Sequence, residues 1–154
     1  GLINFKGVQR RFNKIFSYNK IDFYDDYAHH PTEIRSVLEG VKNVYFKYEK
    51  VCIFQPHRIS RLKDLRKEFS YSFKDADIVI LCPIYTAGEK MKLGFNYNNF
   101  AKEIIKNSKV KLFMVNNNIQ LAKFLKKNMY GNKIVIGMGA GSISGWIKKL
   151  PELM

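Results

Sequence analysis

KVCIFQPHRISRLKDLRKEF, residues 50–69, carries the pattern that decides the fold. Its first residues are apolar, β-branched or aromatic, and they predict a short buried strand over residues 50–55. Apolar side chains then recur at helical spacing, which predicts a helix over residues 60–73. A buried strand that runs directly into a helix is typical of a parallel sheet, because parallel strands need a crossover connection.

The same alternation extends along the rest of the chain. Residues 12–25 alternate well enough to predict a hairpin that turns near Asn19, and Pro31 opens a predicted helix over residues 31–45. Further strands are predicted over 77–83, 109–115 and 133–137, and further helices over 98–106, 119–127 and 144–150. Short apolar strands that alternate with helices predict an α/β fold with a mostly parallel sheet.

The composition is that of a single folded domain. A chain of 154 residues with 46% hydrophobic residues can bury a core, and its apolar runs are far too short to span a bilayer. No signal peptide is recognisable at the start, so we expect a cytoplasmic location and no membrane partner. Cys52 and Cys82 lie in apolar runs without C-x-x-C spacing, which predicts buried, reduced thiols rather than a disulfide or a zinc site.

A formal net charge of +14 at pH 7 raises the hypothesis of a basic module that binds RNA or another polyanion. The lysines are scattered over nearly every segment, which favours a solvated surface and argues against nucleic acid as a partner. Four of the six arginines instead fall in two short clusters, Arg10 with Arg11 and Arg58 with Arg61. Arginine binds carboxylate and phosphate with bidentate geometry, so these clusters are the better candidates for anion binding.

Polar side chains gather in the loops that follow the predicted strands. All three histidines lie there, together with Arg58 and Arg61. In open parallel sheets, ligands bind beyond the carboxyl ends of the strands, where such loops meet. We therefore expect one site on this rim, formed by loops 25–33, 55–61, 83–89, 116–118 and 137–145.

His57, Arg58 and Arg61 stand where a predicted helix begins, although a helix start carries partial positive charge and favours acidic side chains. Helical spacing places the three on one flank, where their repulsion is costly unless an anion lies among them. Free N–H groups at the helix start and two guanidinium groups would suit a carboxylate or a phosphate. The alternative is a surface salt bridge of this basic cluster with Asp64, three residues beyond Arg61, or with Asp26 from the neighbouring loop.

Other polar residues in these loops are candidates with alternatives. His29 and His30 are adjacent and lack a third ligand at zinc spacing, so we predict no metal site. One imidazole is expected to face the cleft and the other to pack or to cap the helix. Asp25 and Asp26 occupy consecutive strand positions, so only one of them can enter a cleft. Glu89 is either a further hydrogen-bond acceptor or a solvated loop residue.

GMGAGSISG, residues 137–145, looks like a phosphate-binding glycine loop but fails the dinucleotide fingerprint, because the third glycine would fall at position 142, which is serine. The segment also follows the last predicted strand, which leaves no room for the second half of a dinucleotide-binding unit. A nicotinamide oxidoreductase is therefore disfavoured. We predict a turn whose glycines let the backbone approach neighbouring loops, with Ser142 or Ser144 capping the last helix.

Five segments together resemble, in order and spacing, the C-terminal domain of bacterial Mur ligases. They are FKGVQRRF (5–12), DDYAHHPTE (25–33), FQPHRISRLKDL (54–65), YTAGE (85–89) and GMGAGSI (137–143). The resemblance implies a Rossmann-like three-layer sandwich, with a mostly parallel sheet of five to six strands and helices on both faces. It also implies that residues 1–12 enter from a central ATPase domain and that residues 13–154 form the Mur ligase C-terminal domain.

Within that family the segments are most similar to the members that join L-alanine to UDP-N-acetylmuramate, with the murein tripeptide ligases as the alternative. The resemblance implies ATP-dependent amide-bond formation through an acyl phosphate in peptidoglycan biosynthesis. ATP and Mg²⁺ would be held mainly by domains outside this chain. The sequence contains no G-x-x-x-x-G-K-[ST] pattern, so we expect this chain to be inactive by itself.

The resemblance also implies roles for individual residues. Those expected to bind L-alanine are Tyr27, His29, His57, Arg58 and Arg61. Arg11 is expected to reach the γ-phosphate of ATP, and Asp26 to accept a hydrogen bond from the nucleotide ribose. His29 is in addition a candidate for the base that takes the proton from the alanine amine.

Overall fold

Within residues 11–90 and 95–154, the parts of the chain that the computed structural model describes, six strands form one sheet. The strands are β1 (Asn13–Tyr18), β2 (Ile21–Asp26), β3 (Glu49–Phe54), β4 (Ile78–Leu81), β5 (Lys111–Met114) and β6 (Lys133–Met138). The helices are α1 (Pro31–Val44), α2 (Ile59–Asp64), α3 (Arg66–Tyr71), α4 (Tyr97–Ser108), α5 (Asn118–Asn128) and α6 (Ile143–Leu153). None of the helices in these ranges has the length and apolar character needed to cross a bilayer.

The strands lie in the order β1-β2-β6-β3-β4-β5. β1 and β2 form an antiparallel hairpin, and its turn at Asn19 and Lys20 uses the left-handed backbone region (φ 52° and 67°). The other neighbouring strands are parallel, and their register aligns the last residues of five strands along one edge: Asp26, Met138, Phe54, Leu81 and Met114. The loops that follow these strands therefore start side by side.

Helices cover both faces of the sheet, because side chains of the central strands alternate between two apolar cores. In β3, Cys52 and Phe54 pack in one core with α1, α2, α3 and α4, whereas Val51 and Ile53 pack in the other with α5 and α6. Both thiols, Cys52 and Cys82, are buried and free, as predicted. Burial raises the pKa of Cys82 to about 12 and that of Cys52 well above its usual value, so neither is a reactive thiolate at neutral pH.

The architecture confirms the predicted α/β fold, including the initial hairpin, the mostly parallel sheet and the helices on both faces. The structure corrects two of the predicted helices. The helix expected over residues 60–73 is divided at Leu65, whose backbone (φ −115°, ψ 24°) leaves the helical region so that Leu62 and Phe69 both reach the core. The last helix continues through Pro151, and the bond from Met154 N to Leu150 O (2.8 Å) still closes its final turn.

Candidate functional site

Four loops meet at the edge of the sheet where β2, β3, β4 and β6 end. They are residues 27–30, 55–58, 82–89 and 139–142. Backbone bonds join them directly: Gly139 N donates to Asp26 O (3.3 Å), and Arg58 N donates to Tyr85 O (2.7 Å). All three histidines lie in these loops, and Arg61 follows one of them in α2. Four of the five loops predicted to form the rim therefore meet here, and side chains from them lie within contact distance of one another.

The side chains of Arg61 and His57 are in direct contact. Arg61 Nη1 lies 3.1 Å from His57 Nδ1 and 3.3 Å from the carbonyl oxygen of His57. A guanidinium group only donates, so Nδ1 accepts and a neutral His57 carries its proton on Nε2. Burial, and then the positive charge of Arg61, lower the pKa of His57 below its ordinary range. At neutral pH this residue is therefore a hydrogen-bond donor without charge and not a third cation.

His29 faces His57 across the rim. Its ring centroid lies 5.9 Å from that of His57 and 4.9 Å from that of Tyr27, both in edge-on arrangements. His29 Nδ1 lies 2.9 Å from the carbonyl oxygen of Tyr27, and when Nδ1 donates, Nε2 keeps a lone pair. His30 begins α1, where Glu33 accepts bonds from the backbone N–H groups of His29 and His30, each at 3.1 Å. His29 thus contacts Tyr27 and His57 on the rim, whereas His30 stands at the N-cap of α1, the capping position predicted for one of the two histidines.

Arg58 has an acidic neighbour that the sequence did not predict. Its Nη1 lies 3.7 Å from Glu89 Oε2, whereas in the described ranges Arg61 contacts His57 and forms no salt bridge with Asp64 or Asp26. The basic cluster therefore does form a salt bridge, as the alternative predicted, but the acid is Glu89 and not Asp64 or Asp26. The backbone of Arg58 adopts φ 74°, which is uncommon for a residue other than glycine. Arg58 and Arg61 consequently turn toward different neighbours.

Glu89 also occupies the beginning of α2. Its carboxylate accepts hydrogen bonds from the backbone N of Ser60 (3.1 Å) and from Ser60 Oγ (2.5 Å). These bonds, the one from the Ser60 hydroxyl first, lower the pKa of Glu89. A turn through Ala87 and Gly88 (φ 53° and 89°) brings the carboxylate there. The prediction that this helix start offers free N–H groups to an external anion is therefore wrong, because the chain supplies its own carboxylate.

The glycine turn after β6 packs against the loop that follows β3. A Cβ on Gly139 (φ 152°) would lie 2.9 Å from the carbonyl oxygen of Gln55, so glycine permits this close approach, as predicted. The buried Gln55 side chain bridges the two loops: Nε2 donates to Ser142 Oγ and Oε1 accepts from Ile143 N, each at 3.0 Å. Gln55 thus caps α6 from outside. Ser142 stands at the N-cap position, as predicted, but its side chain makes no capping hydrogen bond to α6.

The two carboxyl groups at the end of β2 have different partners. Asp25 accepts from a serine hydroxyl of α6, while Asp26 accepts from the backbone N–H groups of Phe12 and Ala28, all at 2.8 Å. Burial raises the pKa of Asp26, although both N–H groups and the positive charge of Arg11 act in the opposite direction. Asp26 therefore stabilises the turn after β2, and the charge of Arg11 influences its pKa. The expected contacts of Arg11 and Asp26 with ATP stay predictions.

Some expectations fall outside these contacts. The entry segment expected over residues 1–12 lies almost wholly outside the described residues, and so does Arg10. The described ranges contain no group of three or more His, Cys, Asp or Glu side chains that could hold a metal ion. Tyr27 lies on the rim with 42% of its surface exposed, beside His29.

Sequence reasoning missed two residues that the structure places in the site. Tyr85 stacks its ring on that of His57, with 5.5 Å between centroids and 10° between planes, and Gln55 forms the bridge to α6. Tyr85 lies in the segment YTAGE, but only the strand order puts it beside His57. A glutamine directly after a buried strand is a signal for Gln55, because a buried amide needs hydrogen-bond partners.

Comparisons with known proteins identify the family. Residues 10–141 match the family described as Mur ligase, glutamate ligase domain. The chain belongs to the Mur ligase family. It is 71% identical over 154 residues to UDP-N-acetylmuramate–L-alanine ligase from Pelagibacter ubique, which covers 100% of this chain and 33% of that protein. The protein of the same name from Rickettsia felis is 39% identical over 162 residues, which covers 97% of this chain and 32% of that protein.

Solved structures share the fold of this Mur ligase chain. UDP-N-acetylmuramate-alanine ligase from Thermotoga maritima superposes with a TM-score of 0.72 at 29% identity, over 96% of this chain and 30% of that chain. A domain from a putative ligase of Haemophilus ducreyi gives a TM-score of 0.68 at 20% identity, over 94% of this chain and 100% of that chain, and shows the fold alone. The chain spans about one third of the curated relatives it matches. Family membership favours the ligase domain over the polyanion-binding module.

Proposed function

We propose that this Mur ligase domain binds L-alanine and delivers it to UDP-N-acetylmuramate in an ATP-dependent reaction that forms an amide bond. Relatives at 71% and 39% identity bear the name UDP-N-acetylmuramate–L-alanine ligase, which supports this activity over that of the murein tripeptide ligases. The observation that carries the proposal is the hydrogen bond from Arg61 to His57. It holds two donors together at the rim where the strand ends converge.

A small carboxylate suits these two donors. Arg61 keeps N–H groups besides the one that contacts His57, and His57 offers its Nε2–H. Within the described ranges Arg61 has no acidic partner, whereas Arg58 lies 3.7 Å from Glu89. We therefore assign the main role in binding the alanine carboxylate to Arg61 and a secondary role to Arg58. Tyr27 lines the same rim next to His29.

His29 is our candidate for the base that receives the proton of the alanine ammonium group. The nitrogen must lose a proton before its lone pair attacks the activated muramate carbonyl; the new C–N bond then forms as phosphate leaves. With Nδ1 donating to the carbonyl oxygen of Tyr27, Nε2 of His29 is the acceptor available for that proton. The rings of His29 and His57 are 5.9 Å apart, so one small amino acid reaches both imidazoles.

ATP is proposed as the co-substrate, with Mg²⁺, and both are assigned mainly to the part of the longer relatives that this chain does not match. ATP supplies the phosphoryl group that activates the muramate carboxylate. The exposed Arg11 fits a contact with a phosphate, and Asp26 is assigned to the ribose, whereas the described residues offer no metal cluster. We also place the complete protein in the cytoplasm, which the two free, buried thiols support.

The test uses a complete ligase in which this chain replaces the matching third of the Pelagibacter ubique relative. Arg61→Ala should raise the KM for L-alanine by about 10- to 100-fold, as expected for the loss of a hydrogen bond to a charged group. The KM for UDP-N-acetylmuramate should stay nearly unchanged. Arg35→Ala removes an exposed arginine of α1 and serves as the matched control. Equal rises in both KM values would overturn the assignment of the alanine site.

A further inference from the structure

Tyr85 makes backbone contacts with the residues on both sides of His57. Its N–H donates to Pro56 O (2.8 Å), and its carbonyl oxygen accepts from Arg58 N (2.7 Å). This parallel bridge extends the pairing of β3 and β4 beyond the ends of the two strands. Because two hydrogen bonds hold the backbone of Tyr85, the side-chain torsions decide where its ring lies relative to His57.

The ring of Tyr85 lies parallel to the imidazole of His57 and also packs against Gly141. The two rings are 5.5 Å apart with 10° between their planes. A Cβ on Gly141 would fall 2.4 Å from Cγ of Tyr85 and 2.8 Å from its Cβ, closer than real Cβ atoms approach. The φ of Gly141 lies outside the left-handed region. Glycine is therefore required here by the space that Tyr85 occupies, and not by the backbone conformation.

We propose that Tyr85 is a positioning residue for the alanine site, and that Gly141 is required because a side chain there would displace the tyrosine. This inference rests on the proposed function, since Tyr85 acts by holding His57 toward the amino acid. Arg61 fixes one edge of the imidazole at Nδ1, and Tyr85 fixes the plane of the ring, so Nε2–H keeps one direction. Without the stacked ring, the imidazole can rotate about its broad terminal torsion and the donor loses its alignment.

Substitutions in the complete chimeric ligase test this role. Tyr85→Phe keeps the ring and should leave the KM for L-alanine within about twofold. Tyr85→Ala should raise this KM by about 10-fold, which is the change expected for the loss of one aromatic pair. Gly141→Ala should raise the same KM, because its Cβ pushes the ring away from His57. Gly145→Ala is the matched control, since a Cβ at that position meets no atom within 4 Å.

The double variant Tyr85→Ala/Gly141→Ala shows whether the two positions act together. Its KM for L-alanine should rise by less than the product of the two single effects, because Tyr85→Ala removes the ring atoms nearest to the new Cβ and leaves only the 2.8 Å contact with the Cβ of residue 85. Additive losses would overturn the link. A second readout is the ¹³C signal of labelled His57, which should lose the ring-current shift in Tyr85→Ala and Gly141→Ala and keep it in Tyr85→Phe. Lower thermal stability with an unchanged His57 signal would mean that Tyr85 is only structural.

Failure of this proposal can be told apart from failure of the proposed function. If Arg61→Ala raises the KM for L-alanine and Tyr85→Ala does not, the positioning role is overturned and the alanine site stands. If the His57 signal changes in Tyr85→Ala, but neither Arg61→Ala nor Tyr85→Ala changes the KM for L-alanine selectively, the proposed function is overturned. The positioning role for that substrate then falls with it.

Discussion

Arg61 Nη1 donates a hydrogen bond to His57 Nδ1 over 3.1 Å, so the arginine sets the tautomer of the histidine. Its charge also adds to the effect of burial in lowering the pKa of His57. Both effects keep the imidazole neutral, with its proton on Nε2. The rim therefore combines a permanent cation with an uncharged donor, which is a weaker electrostatic conflict than three clustered cations.

His57 should be neutral at pH 7, with a pKa below that of an unfolded histidine, mainly because burial disfavours the charged form. Arg61→Ala removes a nearby positive charge, so the pKa of His57 should rise toward its ordinary value. Titration of ¹³C- and ¹⁵N-labelled histidine by NMR measures both the pKa and the tautomer. Arg66→Ala, which removes a guanidinium bonded to Glu103 (2.7 Å), should leave the pKa of His57 unchanged. A proton found on Nδ1 would contradict the geometry.

Mild acid should destabilise the fold through protonation of His57 and His30. The folded-state pKa values of His57 and His30 lie below the ordinary value of 6.5, so the unfolded chain binds more protons just below that pH. The free energy of unfolding should therefore fall as the pH drops below 6.5 and through the folded-state pKa values. His57→Gln should flatten this dependence in urea unfolding between about pH 7 and 5. An unchanged slope would show that His57 is not among the groups responsible.

Arg58→Ala should raise the KM for L-alanine less than Arg61→Ala does. Glu89 lies 3.7 Å from Arg58 and already offsets part of its charge, so less attraction for the substrate carboxylate is lost. Steady-state kinetics of both variants in the complete ligase make the comparison. Glu89→Gln removes the offsetting charge. In that background, Arg58→Ala should raise the KM for L-alanine by a larger factor than it does in the parent enzyme. Identical costs in the two backgrounds would argue that Glu89 has no influence on Arg58.

Gln55→Ala should lower the free energy of unfolding by about 1–3 kcal/mol, the cost of leaving buried hydrogen-bonding groups unpaired. The lost partners are Ser142 Oγ and the N–H group of Ile143, which join the loop after β3 to α6. Chemical denaturation measures the loss. Gln120→Ala is the control, because Gln120 accepts from Asn116 N at an exposed position (2.7 Å) and should cost much less. Similar costs for the two variants would rule out the bridge as the cause.

Arg11→Ala should slow turnover of the complete ligase by about 100-fold or more, as expected for loss of a cation that stabilises the transferring phosphoryl group. Its thermal unfolding midpoint should stay the same, since Arg11 is exposed. Lys14→Ala, which removes the partner of Asp22 (3.2 Å) on the neighbouring strand, controls for general loss of surface charge. A lowered midpoint with unchanged kcat would identify Arg11 as a structural residue.

The main elements of the fold could be predicted because their signals are local. β3 is recognisable as a continuous apolar run, which is typical of a strand buried on both faces. Pro31 indicates the start of α1, and Ile34 and Leu38 indicate its buried face. The division of the helix at Leu65 has no such signal, since neither glycine nor proline stands there. Leu62 and Phe69, on either side of the break, both pack in the assembled core.

Residue types and their spacing were enough to place histidines and arginines at the strand ends and to indicate an anion site there. Strand order and register decided which of these residues touch. They bring Gln55 to Ser142, 87 positions away, Glu89 to Ser60, 29 positions away, and Tyr85 to His57. The periodicity of one segment reports only the face that segment buries, whereas such contacts depend on which strands pair. The contacts between these loops are therefore determined by the tertiary structure of the whole sheet and not by any one segment.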